Sequence, residues 1–114
     1  CASISKFDGP LLEAISPESV SRISNFSEQD LSNTAWAYAK LGCLDRPLLA
    51  SISTAASARI TSFRPQGLSN TAWAFAQLGC PDRPLFEAIA ETAVSSIAEF
   101  RPQELANLLW ACAT

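Results

Sequence analysis

A chain of 114 residues has room for one compact domain and no second. With 48% hydrophobic and 17% charged residues it belongs with folded rather than disordered proteins, and no run approaches the roughly 18 apolar residues of a membrane span. The net charge of −3 advertises no nucleic-acid binder, and the lack of histidine removes the commonest general base and metal ligand.

In chain order, the first 26 residues read as a partial unit. Ile4, Asp8, Pro10, Leu11 and Ile15 fall where Leu41, Asp45, Pro47, Leu48 and Ile52 fall 37 residues later. From Leu31 the string LSNTAWAYAKLGCLDRPLLASI is repeated from Leu68 as LSNTAWAFAQLGCPDRPLFEAI, with 16 of 22 positions identical. A third copy, LANLLWACAT, opens at Leu105. The frame is therefore 1–26, 27–63, 64–100 and 101–114, one array with both ends incomplete. A period of this size marks stacked supersecondary units. The chain reads as a piece of something longer, with no signal-like start.

Each unit is predicted to be a helical hairpin. The first helix spans Glu28 to Leu41, with Ser27 as N-cap and Asp30 as its capping-box partner. Pro65 and Pro102 occupy the first helical position in later copies, where a missing N–H costs nothing. Gly42 and Gly79 stand where a left-handed C-terminal cap is needed. The second helix opens at Asp45-Arg46-Pro47 and runs to about Thr61, with a stripe of Leu48, Leu49, Ile52, Ala56 and Ile60 at helical spacing. Phe63 plugs the turn into the next unit. No strand signal is present. The expected fold is all-α: an α-solenoid, right-handed, of helix-turn-helix repeats whose apolar ends are covered by further chain or by a partner.

On a helical wheel Leu31, Ala35, Tyr38 and Ala39 form the buried arc of the first helix. Asn33 and Lys40 lie opposite, bordered by Trp36 and Ala37. Asn33, Asn70 and Asn107 are identical, whereas Ser3, Lys40, Gln77 and Thr114 share one position yet differ in hydrogen-bonding character. A constant frame with a variable polar tip suits a polymer read one unit per repeat; free drift of an exposed site explains it equally well. Trp36, Trp73 and Trp110 suit a packing seam more than stacking platforms for bases. Arg64 and Arg101 at one helix entry, and Arg46 and Arg83 at the other, suit carboxylate partners more than phosphates. The cysteines Cys1, Cys43, Cys80 and Cys112 form no C-x-x-C pair. Equivalent points on stacked helices lie about 8–10 Å apart, beyond the roughly 7 Å reach of a disulfide, so free thiols are expected.

The string LSNTAWAYAKLG, followed by DRPLL and by Phe100-Arg101-Pro102-Gln103-Glu104-Leu105, resembles the octotricopeptide repeat family and the related heptatricopeptide repeats. The resemblance covers essentially the whole chain. It implies an α-solenoid from a protein imported into a chloroplast or mitochondrion, binding single-stranded RNA with no cofactor and no metal. Carried over residue by residue, base contacts fall on Asn33, Ala37 and Lys40, on Asn70, Ala74 and Gln77, and on Asn107 and Thr114. Members also serve as structural subunits of organellar assemblies, so a protein-interaction scaffold is the alternative. An enzyme is not expected: there is no histidine, no glycine-rich phosphate loop and no metal-spaced ligand set.

Overall fold

The computed structural model describes residues 8–114; the expectations placed on Cys1, Ser3 and Ile4 lie outside them. Six α-helices follow one another: α1 (Asp8–Ser21), α2 (Glu28–Lys40), α3 (Arg46–Ala58), α4 (Pro65–Gln77), α5 (Arg83–Ser95) and α6 (Pro102–Ala113). Short 3₁₀ turns at Ile23–Asn25, Ile60–Ser62 and Ile97–Glu99 close the second helix of each unit. No strand occurs among the described residues, and none of their helices is long and apolar enough to cross a membrane. The fold is all-α.

The boundaries follow from local chemistry. Ser27 Oγ accepts from Asp30 N–H and Asp30 Oδ2 accepts from Ser27 N–H, both at 3.0 Å, which completes the capping box of α2. At the start of α6 the Arg101 N–H donates to Glu104 Oε1 at 2.7 Å. The α4 start has no such acid, because Gly67 stands where Asp30 and Glu104 stand. Asp45 and Asp82 cap α3 and α5 by accepting from Leu48 N–H and Leu85 N–H at 3.1 Å. Gly42 (φ 66°) and Gly79 (φ 64°) turn left-handed after α2 and α4, and the next N–H, of Cys43 or Cys80, returns to Tyr38 or Phe75 C=O. A side chain at those glycines would be strained.

Two layers result. In one, α2 packs on α4 and α4 on α6; in the other, α1 packs on α3 and α3 on α5. The first layer approaches far more closely than the second. Small residues explain this. Leu31 and Ala35 are sealed against the following unit, as are Leu68 and Ala72. Gly67, Thr71 and Ala74 of α4 and Ala111 of α6 are buried as well. The second layer adds Leu48, Leu49, Ile52, Leu85 and Ile89 to the core, each at most 1% exposed. Each contributes about 1.5–3 kcal/mol of transfer free energy. Tyr38 O–H donates to Leu12 C=O at 3.2 Å and ties α2 to α1. Ser53 O–H donates to the Asp82 carboxylate, joining α3 to the next hairpin.

Two expectations need correction. The α3 helix stops at Ala58 rather than near Thr61. Arg59 leaves helical geometry, and the 3₁₀ turn that follows swings both Ile60 (8% exposed) and Phe63 (5%) into the core, which a longer α-helix would prevent. Cys43 is disulfide-bonded rather than free. Cys80 and Cys112 are free thiols, as the spacing argument expects.

Candidate nucleic-acid interface

The outward face of the close layer repeats the same side chains at the same places. Each helix presents a glutamine in its first turn, an asparagine one turn later, a tryptophan in the next turn and a variable residue at its end. These rows are Gln29, Asn33, Trp36 and Lys40; Gln66, Asn70, Trp73 and Gln77; and Gln103, Asn107, Trp110 and Thr114. Spacings of four, three and four residues keep each row on one helix face. Asn33 is exposed, and Asn70 and Asn107 are half-buried, so none is sealed in the stack. Lys40, Gln77 and Thr114 are exposed.

Ala74 does not belong to this face. It is fully buried, pressed against α2, and cannot touch a base. Its equivalent Ala111 is buried against α4 in the same way. Ala37 is exposed, but among the described residues no helix packs on that side of α2. The position is a seam contact. The neighbouring-repeat geometry that buries it is invisible to a wheel drawn for one helix.

The tryptophans do more than fill the seam. Trp36 and Trp110 are 41% and 42% exposed and Trp73 is half-buried, so each ring offers part of a face to solvent. Trp73 and Trp110 stand with ring centroids 6.3 Å apart and planes inclined by 37°. Lys40 Nζ lies 5.5 Å from the Trp36 ring centroid and 6.0 Å from that of Trp73. The ammonium thus bridges two repeats over two aromatic faces, an arrangement worth about 0.5–1 kcal/mol for each exposed contact.

Charge is unevenly shared. The close layer and its entry residues hold three acids (Glu28, Asp30, Glu104) and three cations (Lys40, Arg64, Arg101), so the excess of acid lies in the rest of the chain. The acids are also occupied. Asp30 and Glu104 take up cap N–H groups. Hydrogen bonds with Ser27, its backbone N–H first and its side chain second, hold the Asp30 carboxyl below its ordinary pKa. Glu28 Oε1 pairs with Arg64 Nε at 3.7 Å, which makes Arg64 a carboxylate partner before it is a phosphate ligand. Arg83 likewise pairs with Glu87 at 3.5 Å. Lys40 and Arg101 have no carboxylate within ion-pair range among the described residues.

Between the starts of α2 and α4 lies a polar cleft of about 40 Å³ whose walls include Glu28, Ser32, Asn33, Arg64, Gly67 and Asn70. It is large enough for one or two waters. One of these can serve Glu28 Oε2, which is buried without a protein partner. Sequence reasoning missed Glu28 and Gly67; the signal was the single place where a glycine replaces the repeated acid. No cluster of three metal-ligating side chains occurs among the described residues. In comparison with known proteins, no family model and no curated protein matches the chain.

Proposed function

We propose that this array binds single-stranded RNA along the open face of α2, α4 and α6. The observation that carries the reading is the aligned row of half-exposed tryptophans, each flanked by an asparagine and a variable polar residue, with Lys40 lodged between two of the rings. Flat apolar faces take bases by stacking, and carboxamides meet base edges through paired donors and acceptors. Neutrality of this layer removes the objection raised by the net charge, because the surplus acids sit elsewhere. The likeness of the tandem Asn-x-x-Trp-Ala strings to organellar repeat proteins supports the same ligand and an organellar setting.

Exchanging the variable residues tests this reading. The double change Lys40→Gln with Gln77→Lys preserves composition and should alter which short RNAs are preferred while leaving far-UV circular dichroism unchanged. Affinity should also fall with salt, with a slope of about 0.7 per phosphate neutralised on a single strand. A preference unmoved by the exchange, together with binding indifferent to salt, would favour a protein-interaction scaffold. That second reading draws on one observation of its own. Leu109 is 72% exposed and Leu105 40% exposed where the equivalent Ala72 and Leu68 are covered by the next hairpin.

A further inference from the structure

Resting on the RNA-binding reading, the geometry points to one nucleobase slot between Trp73 and Trp110, while Lys40 closes the corresponding gap between Trp36 and Trp73. A base sandwiched between two rings needs carbon–carbon separations of about 3.5 Å on each side, hence roughly 7 Å between the rings. The two indoles stand 6.3 Å apart and open by 37°. That is the spacing of an aromatic pair in contact, so a base enters only as the rings give up this contact, part and turn parallel. Trp110 is 42% exposed, so its ring has solvent on one side into which it can turn. The preceding gap is different. There the Lys40 ammonium lies within 6.0 Å of both ring centroids and already takes the space over their faces. Gln77, at the position equivalent to Lys40, brings no positive charge to the second gap. Asn70 and Asn107, one turn before the two slot tryptophans, offer amides for the edge of an inserted base. The sequence writes the three tryptophans alike; the residue at the end of the preceding helix decides which pair of rings can admit a base.

The test is a titration of the protein with an adenylate hexanucleotide at low salt, following tryptophan quenching together with affinity. Trp110→Leu should weaken binding about tenfold, the central magnitude for losing one stacked base. Trp36→Leu should weaken it less than threefold. Trp110→Phe, which keeps a ring, should recover most of the loss and guards against a folding defect in the leucine variant. Lys40→Gln empties the first gap and should increase the fraction of fluorescence that the oligonucleotide quenches. Upfield shifts of adenine protons in the wild-type complex would record the stacking directly. Equal losses for Trp36→Leu and Trp110→Leu overturn the slot, as does a Trp110→Leu protein that binds like wild type. No quenching gain in Lys40→Gln overturns the role given to that lysine. A wild-type protein that fails to bind the hexamer, or any mixed-sequence RNA of similar length, overturns the RNA reading itself.

Discussion

Replacing Gly67 by alanine sets helix propensity against packing. Position 67 lies in the first turn of α4 with helical backbone, where alanine is favoured over glycine by about 1 kcal/mol. Space opposes the change. A Cβ there would stand 2.7 Å from Glu28 Oε2, 3.3 Å from Phe63 Cδ2 and 3.7 Å from Ser32 Oγ. The carboxylate can yield only by leaving its rotamer, at about 0.5–1.5 kcal/mol, and by loosening its pairing with Arg64. Phe63 is 5% exposed and must give by a few tenths of an ångström, which adds about 1 kcal/mol, the low end of the cost of overpacked cores. Packing wins: Gly67→Ala should destabilise the protein by about 1 kcal/mol.

The same contact predicts its own cure. In a Glu28→Ala background the shortest clash is gone while the Phe63 contact at 3.3 Å stays, and Gly67→Ala should become about neutral. Urea unfolding followed by circular dichroism, run as a double-mutant cycle, should give a coupling of about 0.5–1.5 kcal/mol. A single Gly67→Ala protein that is more stable than wild type by the full propensity gain would show that α2 and α4 do not approach as described. The next step along the stack shows why the pairing is particular. There Pro65 takes the place of Glu28 and Glu104 the place of Gly67, so the bulk has changed sides.

Two further outcomes check the layering and the caps. Leu68→Ala should cost about 2–5 kcal/mol, since Leu68 is fully buried, whereas Leu109→Ala at a position 72% exposed should shift stability by no more than about 0.5 kcal/mol in the same unfolding assay. The hydrogen bonds from Ser27 lower the folded pKa of the Asp30 carboxyl below its ordinary 3.8. Its contribution is therefore fully present above about pH 3.8 and is lost as pH falls through the lower folded value. Asp30→Asn should reduce the slope of stability against pH below 4 and leave the slope near neutrality unchanged, as read from unfolding midpoints across that range.

Much of the fold was legible because its signals are local. Ser27 with Asp30, Asp45, Pro65 and Gly42 each act within a few residues, and the stripe from Leu48 to Ile60 declares its face by period alone. What escaped was whatever depends on the neighbouring repeat. The wheel put Ala37 and Ala74 at the border of the open face, since it cannot see that α2 covers Ala74. It ranked the tryptophans as seam fillers because burial of a large ring is the common outcome, and it could not foresee rings 6.3 Å apart across two hairpins. Gly67 drew no notice, as a glycine near a helix start has an innocent explanation. The Cys43 disulfide was missed because the repeat frame invites comparison of equivalent sites only.

The close layer links these particulars. Alanine, serine, threonine and glycine at the seams of α2, α4 and α6 let the backbones approach, and that approach brings a tryptophan of one repeat within ring contact of the next. With larger seam residues the indoles would stand apart as isolated platforms, and Lys40 could not reach two of them. The second layer, built on leucine, isoleucine and phenylalanine, keeps its helices wider apart. Small seam residues and exposed tryptophans are therefore one device rather than two. Enlarging a seam position such as Ala74 should weaken binding at Trp73 and Trp110 even though the altered side chain touches no ligand.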